Sequence, residues 1–126
     1  MFRLEKSFTF EASHVLPAHD GKCRRLHGHS WRGRVVVEGD SLTTEGAKIG
    51  MLIDYADLGM IIRPLIENYL DHHHLNDTTG LANPTSEELA RWIYNQLREV
   101  VPLLCEVQVE ETCTSKASYR PYGVGE

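Results

Sequence analysis

From residue 2 to 14 apolar and polar side chains alternate. Phe2, Leu4, Phe8, Phe10, Ala12 and His14 share one parity, and Arg3, Glu5, Ser7, Thr9 and Glu11 share the other. Successive side chains of a strand point to opposite faces, so this pattern predicts a long, half-buried antiparallel strand. A polar loop follows from Leu16 to Leu26, containing Pro17, Gly21 and Cys23. Alternation resumes over 27–39, with Trp31, Val35 and Val37 on the parity of His27 and His29, and ends in a turn-rich stretch with Gly39, Asp40, Gly46 and Gly50.

The period then changes. Leu58, Ile61, Ile62, Leu65, Ile66, Tyr69 and Leu70 recur at helical spacing, which predicts an amphipathic helix. Asp54 or Asp57 is available as its cap, and Pro64 is placed to kink it. A loop over 71–84 leads to a second helix carrying Leu89, Trp92, Ile93, Leu97 and Val100, opened by the capping-box pattern Thr85-x-x-Glu88 and stopped by Pro102. Over 103–114 alternation returns, placing Leu103, Cys105, Val107 and Val109 inward and Glu106, Gln108 and Glu110 outward; a short last strand is expected near 118–122. The order ββααββ predicts an α+β fold: a four-stranded antiparallel sheet with two helices on one face.

A chain of 126 residues suits a single domain spanning 1–126. Its 41% hydrophobic and 25% charged residues are ordinary for a globular protein, and its net charge of -5 argues against a general nucleic-acid binder. No apolar run reaches membrane-spanning length and the N-terminus lacks a signal-peptide apolar block, which predicts a cytoplasmic protein without a membrane partner. Its 3 cysteines form no framework, so reduced thiols are expected, with Cys105 and Cys113 facing the core.

His27-Gly28-His29 carries the clearest chemistry. Both imidazoles point to one face of a strand, and His14 ends the matching face of the strand before it. Three neutral imidazoles at the mouth of one hairpin point to a metal site with an open position, as in catalytic zinc centres. Cys23 lies between Lys22, Arg24 and Arg25, which favour the thiolate; it reads as an inert loop cysteine, as a fourth ligand closing a structural site, or as a nucleophile or base beside the metal. In Asp71-His72-His73-His74 a carboxylate next to an imidazole can orient it for proton transfer, but local sequence does not choose among the histidines. Glu111 shares the inward parity of Val107 and Val109, where a carboxylate needs a partner. A buried arginine is one candidate partner, and the two N–H donors of a 2-amino-4-oxo heterocycle are another.

The segments FTFEASH, CRRLHGHSW, LDHHHLND, NPTSEELARWI and EETCT resemble the 6-pyruvoyl-tetrahydropterin synthase family nearly end to end. The resemblance is greatest to its bacterial 6-carboxy-tetrahydropterin synthase (QueD) branch. It implies zinc on His14, His27 and His29, Cys23 as catalytic base or nucleophile, Asp71 and His72 completing a relay with it, and Glu111 anchoring the pterin. The implied reaction is conversion of 7,8-dihydroneopterin triphosphate to 6-carboxy-5,6,7,8-tetrahydropterin, acetaldehyde and triphosphate in queuosine biosynthesis. The spacing CRRLHGH is similar to that branch, whereas DGKCRRL carries Asp20 and no glutamate, unlike the folate-precursor branch. Lys22, Arg24 and Arg25 are candidates to meet the phosphates. The implied fold is the tunnelling fold, in which sheets join edge to edge into an oligomeric barrel. Two trimers then stack as a homohexamer, with active sites between subunits and Asp71, His72 and Glu111 contributed by chains other than the one holding zinc. The alternatives are a synthase that stops at triphosphate elimination and, from another class, a non-catalytic zinc-binding protein.

Overall fold

The computed structural model describes residues 1–122. Phe2–His14 (β1) and His27–Gly39 (β2) form one long antiparallel hairpin, with Phe2 opposite Gly39 and His14 opposite His27. Leu104–Thr112 (β4) pairs with β2, and Ser115–Tyr119 (β5) pairs with β4. The expected four-stranded antiparallel sheet is corrected to a mixed five-stranded one, in the order β3-β1-β2-β4-β5. The added strand, His73–His74 (β3), pairs parallel with β1 at Ala12 and Ser13. It lies in the segment read as loop, because a strand of 2 residues offers no alternation to read. The same segment holds a short helix, Leu75–Thr79 (α2), closed by Gly80 at φ 74, a left-handed position that glycine adopts without steric cost.

The two expected helices pack on one face of the sheet. Tyr55–Leu65 (α1) lies against β1, and Ser86–Leu97 (α3) against β4 and β5. Asp54 caps α1, its side chain accepting the Ala56 N–H at 2.8 Å. Pro64 cannot donate to the preceding turn, and directly after it the helix widens into a π-turn over Ile66–Leu70, where the Asp71 N–H reaches the Ile66 carbonyl at 2.8 Å. Leu58, Ile62, Leu65 and Leu70 all remain buried across the change. Thr85 caps α3 by accepting the Glu88 N–H at 3.1 Å. The Glu88 carboxylate binds Arg91 instead of returning to the cap, so half of the expected box forms.

Two irregularities in β4 correct its expected parity. Val36 faces Glu106 but Val37 faces Leu104, so Cys105 is the extra residue of a bulge. Leu104 therefore packs on the core, while Leu103 is half exposed with φ 62. Cys105 does not face the apolar core: its thiol donates to the Val36 carbonyl and Glu38, and burial together with Glu38 pushes its pKa up to about 12. Cys113, also expected inward, is exposed in the β4–β5 turn. Glu106 and Gln108 face away from the helices as expected, yet both are buried. Arg3 at 3.4 Å and Arg120 at 3.8 Å compensate Glu106, which also accepts from Gln108 at 2.5 Å. The second register shift, between Glu110 and Thr112, is where Glu111 sits.

Phe10 and Trp31, each 1% exposed, lie with parallel, offset rings in the core. Burial of such side chains contributes about 1.5–3 kcal/mol each. The Trp31 ring N–H donates to the Ala12 carbonyl at 3.1 Å, fixing the indole as a floor beneath the hairpin mouth.

Candidate metal centre and acid-base pair

At the loop end of the β1–β2 hairpin, His14, His27 and His29 share the face that carries Phe10 and Trp31 further along. Their ring centroids lie 4.5 to 5.2 Å apart, and Trp31 meets His14 and His29 edge-on. The His14 Nδ1–H donates to the Pro84 carbonyl at 2.9 Å, and the His27 Nδ1–H donates to the Arg25 carbonyl at 2.7 Å. A carbonyl only accepts, so these bonds fix the tautomer and leave the Nε2 lone pairs of the neutral rings free, the usual outer support of a metal-ligating histidine. Burial holds the pKa of both His14 and His29 below the ordinary imidazole value, which keeps both rings neutral at pH 7.

Among the described residues, four buried side-chain polar atoms have no hydrogen-bond partner, and three of them are the Nε2 atoms of His14, His27 and His29. Glu111 completes the cluster. Its Oε1 lies 2.8 Å from His29 Nε2 and 3.3 Å from His14 Nε2, and one ligand atom from each of the four residues falls within 4.8 Å of the others. Despite the 2.8 Å approach the His29 Nε2 has no hydrogen-bond partner, and the four donor atoms crowd one small space. Such a donor set, mostly imidazole with one carboxylate, suits zinc and other borderline divalent metals. Glu111 belongs to the same chain as the three histidines, contrary to the expectation that another chain supplies it beside the metal.

Cys23 stands outside that group. It sits on a 3₁₀ turn, Lys22–Arg24, held by the Leu16 N–H donating to the Cys23 carbonyl at 3.0 Å. Its half-buried side chain borders a cavity of about 430 Å³ shared with Lys22, Arg25, His27 and His29.

Asp71 and His72 form a pair. One carboxylate oxygen accepts the Glu11 N–H at 2.8 Å and the other lies 2.9 Å from His72 Nδ1. The Glu11 amide, with help from His72, holds the Asp71 pKa below the usual carboxylate value. His72 has φ 61, a conformation that persists in a non-glycine residue only where neighbours impose it. Its N–H donates to the Glu11 carbonyl at 2.6 Å and its side chain is 80% exposed. The three consecutive histidines thus separate by contact. His73 donates to the Glu67 carbonyl and His74 bonds Ser13, whereas His72 projects outward with only Asp71 behind it.

His72 borders a hollow of about 460 Å³ with Glu11, Ser13, Gly28 and Ser30. This hollow and the cavity at Cys23 meet only at Gly28 and His29, so within one chain the structure does not bring Cys23 and His72 into a common cavity. The carbonyls of Arg25 and Pro84, which orient two of the histidines, had no sequence signal, since any residue supplies a carbonyl.

The model of the 6-pyruvoyl tetrahydropterin synthase family matches residues 3–122. The chain is 54% identical over 120 residues to a 6-carboxy-5,6,7,8-tetrahydropterin synthase of Synechocystis sp., covering 94% of this chain and 93% of the relative. It is 34% identical over 141 residues to the enzyme of that name from Haemophilus influenzae, covering 95% and 99%. The solved 6-pyruvoyl tetrahydropterin synthase of Caenorhabditis elegans superposes with a TM-score of 0.82 at 25% identity, over 96% of each chain. Among the described residues no helix is long and apolar enough to cross a membrane.

Proposed function

Since the chain belongs to the 6-pyruvoyl tetrahydropterin synthase family, we propose that it is a zinc-dependent carbon–carbon lyase. Its substrate is 7,8-dihydroneopterin triphosphate, which with water yields 6-carboxy-5,6,7,8-tetrahydropterin, acetaldehyde and triphosphate, a cytoplasmic step of queuosine biosynthesis. The observation that carries this reading is the convergence of three partnerless Nε2 atoms beside Glu111. The 54% identity to a 6-carboxy-tetrahydropterin synthase supports the choice of product.

His14, His27 and His29 would hold zinc, which when bound supplies Lewis acidity toward the hydroxyls of the substrate side chain. Cys23 faces the same cavity as His27 and His29, from where its thiolate takes a proton from the side chain. His72, held by Asp71, exchanges protons with the side-chain oxygens. Glu111 accepts the two N–H donors of the pterin edge. Because Cys23 and His72 occupy separate hollows, the pair at His72 serves the site of a neighbouring protomer in a homohexamer of two stacked trimers. The whole of 1–126 acts as one such domain.

Incubation with 7,8-dihydroneopterin triphosphate, with and without a chelator, tests this. Acetaldehyde and 6-carboxy-tetrahydropterin should form and the chelator should stop them. Triphosphate release without acetaldehyde would favour the pyruvoyl synthase, and no turnover would overturn the reading. A second role for Glu111, as fourth metal ligand, is favoured by its 2.8 Å approach to His29. Glu111→Ala decides between them: an anchor leaves zinc affinity intact and loses pterin binding, whereas a ligand weakens zinc.

A further inference from the structure

The parallel ladder between β1 and β3 ends at Ser13 and His74, one residue short of the point where β1 delivers His14 to the cluster. Beyond it, α2 begins and its backbone turns away. There the side chain of Asn76 takes over the pairing. Asn76 Oδ1 accepts the Val15 N–H at 2.9 Å, and Asn76 Nδ2 donates to the Val15 carbonyl at 2.8 Å. The second amide hydrogen donates to the Ala82 carbonyl at 3.2 Å. Ala82 lies two residues before Pro84, whose carbonyl receives the His14 Nδ1–H. One side chain therefore ties the backbone just after His14 to the segment that orients the His14 ring.

We propose that Asn76 is a positioning residue for the metal-binding centre, setting His14 against the Pro84 carbonyl so that its Nε2 faces His27, His29 and Glu111. The inference rests on the reading of that cluster as a zinc site. An amide is required: one acceptor and both donors are in use, and the isosteric carboxylate of aspartate offers no donor and would face two carbonyl oxygens. Outer groups of this kind typically govern metal affinity by about 10–100-fold.

The test is competitive zinc titration of chelator-stripped protein against a chromogenic chelator, held below every unfolding midpoint. Wild type, Asn76→Asp and Ile93→Val are compared, the last being a buried variant on α3 outside the ligand cluster and a control for lost stability. Zinc binding by Asn76→Asp should weaken about tenfold or more and the Co2+ absorption envelope should change, with Ile93→Val matching wild type in both. Unaltered zinc affinity in a folded Asn76→Asp would overturn the role of Asn76 alone. No zinc binding by wild type would overturn the metal reading beneath it. Should Asn76→Asp fail to fold, amide hydrogen exchange of wild type decides, because coupling is reciprocal. Zinc should then slow exchange at Val15, and an unchanged rate would refute the proposal.

Discussion

A buried polar atom without a partner costs about 1–3 kcal/mol, and here three imidazole nitrogens sit together in that condition. Burial also lowers the pKa of His14 and His29. In the metal-free protein the unfolded chain therefore binds protons first as pH falls through about 6.5. Folding stability from these rings is fully present above that pH and declines below it, towards the lowered folded values. The urea midpoint of stripped protein should be flat from pH 8 to 7 and fall below about 6.5. His29→Gln should flatten part of that slope, and an unchanged slope would assign the effect to other groups. Its own burial, with Glu38, makes Cys105 a poor nucleophile, whereas Cys23 shares a cavity with His27 and His29.

The strands and helices divide by what local spacing encodes. The cap of α3 was legible because Thr85 and Glu88 lie within one turn and the hydroxyl needs only the nearby N–H. Thr85→Ala should cost about 1 kcal/mol in urea unfolding with zinc affinity unchanged; a neutral result would mean that Glu88 and the packing of α3 suffice. The bulges of β4 were not legible. Apolar alternation placed Val107 and Val109 correctly, but the extra residue at Cys105 shifts parity, and it is set by pairing with Val36 and Val37 across the sheet. The irregularity between Glu110 and Thr112 lies at the residue that turns toward His29, in keeping with the tendency of bulges to re-aim side chains beside functional sites.

Among the described residues the sheet ends in β5 on one side, and on the other β1 is covered by β3 only at Ala12 and Ser13. Open edges of this kind call for cover, and joining into a barrel would supply it. The separation of Cys23 from His72 gives the assembly a direct test. Cys23→Ala and His72→Ala should each be inactive alone. After mixed refolding, about one site in four should combine an intact cysteine with an intact histidine from a neighbour in a cyclic ring. Recovery of activity, read as acetaldehyde release, would place the two residues on different protomers; none would place them on one.

The amphipathic pattern was enough to establish both long strands, the helical face at Leu58, Ile62 and Leu65, and the grouping of His14, His27 and His29. The strands and the helix are carried by one period, of two or of about 3.6 residues, and the histidines by two such strands joined through one loop. Contacts between segments distant in the sequence settled the remainder. Ser13 meets His74 across 61 positions, His14 meets Pro84 across 70, and Asp71 reaches Glu11 across 60. Which of three consecutive histidines projects, which ring nitrogen is left free and where Glu111 turns follow from these pairings. They depend on how separate segments pack in space, a property that spacing along the chain does not encode.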